Sequence, residues 1–267
     1  MELQKVMKIN TKLIIKHKAD FQKGEPFPHL IIDDFLEQGF AKKLSTEFPE
    51  IDDTSLFRYD NPLEKKSALN DWNKFPKNTY SFFKYLCSDE VVKCLSQLVG
   101  VKLFADPGLH GGGWHLHKNG GKLNPHLDYN LHPKVGLQRK LNLIIYLPEE
   151  WKEEWGGHFG MWSHCEKIPE PKQLEKEVEI KFNRAVLFDT THQSWHGLSR
   201  AVSSPNGEVR KSLAIYYLCK PPVGTENRER AFYAPDEKQK GDKKIEELIK
   251  RRADKLQYNT SYIVKED

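Results

Sequence analysis

Cysteine is scarce in this chain. Only Cys87, Cys94, Cys165 and Cys219 occur in 267 residues, and no two stand in a CxxC pair. That argues against a disulfide scaffold or a thiolate zinc site and predicts reduced, mostly buried thiols. Long apolar runs are also missing. No stretch approaches the ~18 apolar residues of a membrane span. Near the N-terminus the short Leu13–Ile15 run is flanked by Lys12 and Lys16. Neither a signal peptide nor a membrane partner is therefore expected, and a cytoplasmic setting is. An excess of one charge is lacking too: 42 basic against 38 acidic side chains leave +4, too little to argue for nucleic acid without a concentrated patch. The Gly111-Gly112-Gly113 run feeds a strand-like segment rather than a helix, so it reads as a tight turn and not a phosphate loop.

What is present is a change of texture near residue 100. Before it, Pro26-Phe27-Pro28 leads into an apolar strand at 29–32. Residues 35–48 then repeat Phe35, Leu36, Phe40 and Leu44 at helical spacing. Residues 49–75, charged and rich in Asp, Asn and Pro, read as a long loop. Two helices are expected at 79–86 and 88–99, with Ser88 as N-cap and Gly100 as the stop. After residue 100, short apolar or alternating segments are separated by Gly, Pro and Asn. They fall at 102–105, 114–117, 141–147, 158–162, 177–180, 185–188 and 212–218. That spacing predicts a sandwich or jelly roll. A tail helix over 236–257, with Ile245, Leu248, Ile249 and Leu256 as its apolar stripe, reads as a solvated cover. One domain is expected over 1–267: N-terminal strand and helices at 1–99, a β core at 100–220 and a helical extension at 221–267.

Chemistry concentrates between His126 and Arg210. His126-Leu127-Asp128 places an imidazole and a carboxylate two residues apart, on one face of a strand, where both reach one ion. The pattern alone is weak. With 11 histidines and 38 acidic residues, chance supplies about 1.6 copies; a second, His164-x-Glu166, is followed by Pro169 and Pro171 and reads as a surface loop. Context separates them. After the buried strand at 185–188 comes Ser194-Trp195-His196-Gly197, and His196 is the natural third ligand, with His192 as its rival. Two imidazoles and one carboxylate on one face of a metal leave open positions and suit Fe(II) better than structural zinc. Arg210, opening the 212–218 strand, offers the planar fork that grips a carboxylate, here the distal one of a 2-oxo acid; Arg200 is the fallback. His115 and His117 read as cavity-wall residues. His110 and His132 carry no arrangement that the sequence explains.

These residues, in this order, resemble the 2-oxoglutarate/Fe(II)-dependent dioxygenase superfamily, in particular its prolyl 4-hydroxylase-like branch. The resemblance covers roughly 100–220. It joins His126-Leu127-Asp128 to Ile144-Ile145-Tyr146-Leu147, Trp151 with Gly156-Gly157, the 182–189 segment, Trp195-His196 and Arg210-Lys211-Ser212. It implies a double-stranded β-helix, a jelly roll with N-terminal helical support and a C-terminal helix, so a mainly β (α+β) fold. It also implies Fe(II) on His126, Asp128 and His196, with 2-oxoglutarate as co-substrate on Arg210 and Tyr146. The reaction implied is hydroxylation of an unactivated C–H bond with molecular oxygen, 2-oxoglutarate going to succinate, and with room for ascorbate as an auxiliary reductant. A prolyl residue in a peptide or protein is the substrate the resemblance suggests. A sugar, lipid headgroup or other small molecule stays open, as do a silent jelly-roll binding module and a metal-dependent hydrolase. Two departures stand out. Leu116 falls where some relatives place a co-substrate tyrosine, and the interval from His196 to Arg210 is long.

Overall fold

Alternation in two segments sets the architecture. Leu141, Leu143 and Ile145 alternate with Asn142, Ile144 and Tyr146, and Leu213, Ile215 and Tyr217 alternate with Ser212, Ala214 and Tyr216. In a computed structural model, describing residues 7–190, 193–205, 207–225, 227–228, 230–254 and 256–264, these segments are adjacent antiparallel strands. Their first set of side chains meets the helices. Their second set faces a cavity.

In chain order the elements are α1 (Thr11–Lys16), α2 (Lys18–Gln22), β1 (His29–Ile32), α3 (Gln38–Thr46), β2 (Phe57–Asn61), β3 (Glu64–Leu69), α4 (Lys77–Leu86) and α5 (Asp89–Val99). There follow β4 (Leu103–Ala105), β5 (Gly113–His117), β6 (Lys122–Leu123), β7 (His126–Leu127), β8 (Gln138–Tyr146), β9 (Phe159–His164) and β10 (Pro171–Val178). The last are β11 (Arg184–Asp189), β12 (Trp195–Leu198), β13 (Arg210–Cys219), β14 (Phe232–Tyr233) and α6 (Lys243–Ala253). Among the described residues one sheet runs β1-β11-β8-β13-β5-β3-β2, with β4 on β13 and β6 on β3, and a second runs β10-β9-β12-β7-β14. The pair forms the expected jelly roll.

Phe40 and Leu44 of α3, Phe82 and Phe83 of α4, and Leu95 and Leu98 of α5 are buried against the outward-facing Leu141, Leu143, Ile145, Leu213 and Ile215. Each such side chain contributes about 1.5–3 kcal/mol by leaving water, so this one-sided layer stiffens the larger sheet and leaves its inner face to polar residues. Trp114 belongs to this core, stacked on Phe48 with ring centroids 5.2 Å apart.

Three expectations change. Residues 49–75 are not a loop, since β2 and β3 form a hairpin there. Their strands are polar, and pairing with β5 rather than apolar alternation makes them strands. Ser88 takes the N-cap position of α5 without a side-chain capping bond, whereas Gly100 ends that helix at φ +79° as expected. The tail helix is shorter, beginning after its cap Asp242. Leu256 lies beyond it and is exposed, while Ile245 and Leu248 are buried. All four cysteines are free, with Cys94 and Cys219 buried. Among the described residues no helix is long and apolar enough to cross a membrane.

Candidate metal centre and its cavity

Strand register brings the two histidines together. His196 on β12 is the direct cross-strand partner of His126 on β7, and their ring centroids lie 4.3 Å apart. Asp128 stands just past β7, its Oδ1 4.0 Å from His126 Nε2 and its Oδ2 3.8 Å from His196 Nε2. One ligand atom from each of the three lies within 4.8 Å of the others, and all three residues are buried. Gly197 makes the approach possible: a Cβ there would sit 2.7 Å from the carbonyl oxygens of Leu123 and Asn124.

The backbone fixes the tautomers. His126 Nδ1 lies 3.0 Å from Asn124 O, and His196 Nδ1 lies 2.9 Å from Ser194 O. A carbonyl only accepts, so each Nδ1 carries the proton and each Nε2 presents a bare lone pair. Burial first, and the neighbouring His196 second, push the His126 imidazole down to about 3. His196 is lowered by burial against the opposing pull of Asp128. Burial alone would raise Asp128, but Arg139, His196 and His126 hold its carboxyl below the ordinary carboxylate range. Among the described residues Asp128 Oδ2 has no hydrogen-bond partner. Two neutral imidazoles and one carboxylate oxygen, all with free lone pairs, fit a divalent ion of the Fe(II) type.

Arg139 escaped the sequence reading. It is 2% exposed, with its Nη1 3.1 Å from Asp128 Oδ1. Its guanidinium is sandwiched between Tyr129 and Tyr216, Cζ lying 3.4 Å from each ring centre. Tyr216 also donates its hydroxyl to Asp128 Oδ1 at 3.3 Å. A bulge places Arg139 there. Along β13, Tyr217 pairs with Leu141 and Leu218 with Arg139, so Lys140 is an extra residue. Strict alternation would point Arg139 outward with Leu141; the bulge turns it inward.

The same cavity, about 260 Å³, also holds Arg210 in its wall. Arg210 is 4% exposed and donates from Nε to Gly157 O at 2.7 Å. Gly157 has φ +68°, and a Cβ there would come within 3.0 Å of Arg210 Cδ. Among the described residues Arg210 forms no ion pair with a carboxylate, and burial lowers its pKa while Tyr146 opposes that. Tyr146, fully buried, packs its ring 4.8 Å from Arg210 Cζ. Arg200 lies elsewhere: it is half exposed, 3.4 Å from Glu177 and bonded to His158.

His115 and His117 both line the cavity, as expected of wall residues, whereas Leu116 points into the outer core. His164 accepts from Trp195 Nε1 at 3.1 Å and stands apart from the cluster. His192 lies outside the described residues. His110 lines the rim, and His132 Nε2 lies 3.5 Å from buried Asp106. The tail closes one wall. Tyr233 of β14 stacks on His126 with centroids 5.1 Å apart, and Arg252 of α6 pairs with fully buried Glu64 at 2.8 Å. Burial would raise Glu64, but Lys66 and Arg252 hold it down to about 2. The expected cover helix is thus only partly solvated.

Comparison with known proteins agrees with this geometry. Residues 112–218 match the family model described as the 2OG-Fe(II) oxygenase superfamily. A curated relative, prolyl 3-hydroxylase OGFOD1 of Mus musculus, is 23% identical over 211 residues, which are 78% of this chain and 36% of that protein. The chain thus spans about a third of that relative's length. Among solved structures, the Trichoplax adhaerens prolyl hydroxylase in complex with a hypoxia inducible factor peptide superposes with TM-score 0.54 at 14% identity, covering 81% of this chain and 92% of that one. HygX from Streptomyces hygroscopicus, with nickel, 2-oxoglutarate and hygromycin B bound, gives TM-score 0.51 at 14% identity over 79% and 88% of the two chains. The segment that matches the 2OG-Fe(II) oxygenase superfamily model thus carries most strands of the jelly roll and the clustered His126, Asp128 and His196.

Proposed function

We propose that the chain is an Fe(II)/2-oxoglutarate-dependent dioxygenase that hydroxylates an unactivated C–H bond. The reaction consumes substrate, oxygen and 2-oxoglutarate and yields hydroxylated product, succinate and carbon dioxide. One observation carries this reading: a buried arginine without a carboxylate partner among the described residues shares a cavity with two imidazoles whose Nε2 lone pairs are bare. A buried charge left unpaired is unfavourable, and an anionic ligand seated on Arg210 relieves it.

His126, Asp128 and His196 hold the metal, which when bound supplies the oxygen-activating redox chemistry. The Asn124 and Ser194 carbonyls keep both rings oriented, and Arg139 with Tyr216 keeps Asp128 ionised and fixed. Arg210 takes the distal carboxylate of 2-oxoglutarate in a forked contact, with the Tyr146 hydroxyl beside it. Phe159 and Phe188 pack on His196 and keep water from that side.

For substrate we infer a prolyl residue in a peptide. The curated relative's name specifies prolyl hydroxylation, and a peptide is bound in the Trichoplax structure. The scarcity of cysteine pairs and apolar runs supports a cytoplasmic place of work. The test is to incubate the purified chain with Fe(II), 2-oxoglutarate and panels of prolyl peptides and of glycans. Succinate release with a one-oxygen mass gain on a peptide is expected. A gain on a glycan instead overturns the prolyl assignment, and absence of succinate with every acceptor overturns the oxygenase.

A further inference from the structure

The imidazoles around the cavity are not equally provided for. His126 and His196 each donate from Nδ1 to a carbonyl. His115 is held by the backbone of Gly112 and Gly111. His117 differs: it is 2% exposed, and among the described residues neither of its ring nitrogens has a hydrogen-bond partner. A neutral imidazole always carries one N–H donor and one acceptor, and a buried donor left unmade is costly. The ring is neutral, because burial first and Arg210 second depress its pKa well below the ordinary value.

Register says what the idle donor faces. His117 on β5 is the direct cross-strand partner of Arg210 on β13, and both side chains enter the cavity. In the next row Tyr146, Ser212 and His115 stand side by side. The other cation nearby, Lys66, is engaged, with its Nζ 3.3 Å from Glu64 and 4.8 Å above the Tyr59 ring. Arg210 and His117 are therefore adjacent donors at one end of the cavity, neither paired with a carboxylate among the described residues.

We propose that His117 donates a ring N–H to the distal carboxylate of the 2-oxo acid held by Arg210, making that end a two-residue carboxylate site selective for a dicarboxylic 2-oxo acid. This rests on the oxygenase reading above.

The test is calorimetric titration of the Mn(II)-loaded full chain with 2-oxoglutarate and with 2-oxobutyrate, which lacks the distal carboxylate. For His117→Phe, 2-oxoglutarate should bind about 10-fold more weakly, the size of one charged hydrogen bond, and 2-oxobutyrate as before. His117→Gln, whose amide still donates, should recover part of the loss and covers the case in which the Phe variant fails to fold. Unchanged 2-oxoglutarate binding, or equal weakening of both acids, overturns the proposal. If the unaltered chain shows no metal-dependent binding of 2-oxoglutarate at all, the oxygenase reading itself fails.

Discussion

Arg139 and Arg210 are both buried in the wall of one cavity, yet their surroundings are opposite. Arg139 is ion-paired, with Asp128 in front, tyrosine rings above and below, and the His110 carbonyl behind. Arg210 has one carbonyl and a tyrosine ring, and no carboxylate among the described residues. The first arginine completes a structure. The second is provided for only when something negative arrives. One end of the cavity offers a supported carboxylate beside two imidazoles, and the other a guanidinium with no carboxylate among the described residues.

Three tests bear on that contrast. The largest effect should come from the cation end itself: Asp128→Ala should lower Mn(II) affinity by more than ~100-fold, beyond the 10–100-fold typical of supporting residues, as read by metal titration. Next, the two arginines should separate cleanly. Arg139→Met should weaken metal binding by about 10- to 100-fold while 2-oxoglutarate, measured at saturating metal, binds as before. Arg210→Met should weaken 2-oxoglutarate by about 10- to 100-fold and leave the metal alone. Identical phenotypes would dissolve the contrast.

The smallest effect concerns acid. His110 is pushed down to about 4 and His115 to about 3, in each case chiefly by burial. Below about pH 6.5 the unfolded chain takes up protons that these folded rings refuse, so stability falls as pH drops from there towards 4 and 3. Urea midpoints of the metal-free protein should decline between about pH 7 and 5, before the carboxylates titrate. A flat profile over that window would mean that these rings are hydrated.

The cation end was the more legible of the two in the sequence. His126-x-Asp128 and Trp195-His196-Gly197 were legible as an ordered pair of motifs, and the pairing of β7 with β12 in the jelly roll brings them together. Arg210 was legible through its position before an apolar strand. Arg139 was not, because a one-residue bulge reverses the alternation on which such a reading rests, and no sequence period marks Lys140 as the extra residue. The β2–β3 hairpin was missed for a related reason. Its inner face serves a polar cavity, with Glu64 and Lys66 where a core strand carries valine or leucine. Helix ends were approximate wherever tertiary packing rather than a cap sets the stop.

Tyr233 against the His126 ring, and the guanidinium of Arg252 on Glu64, mean that the cavity extends past the segment that matches the superfamily model. Cutting the chain back to 112–218 would keep all three candidate ligands and Arg210 but strip away a side of the chamber. Inactivity of such a fragment would then report lost support, the helical layer of α3 to α5 as well as this wall, and not a missing catalyst.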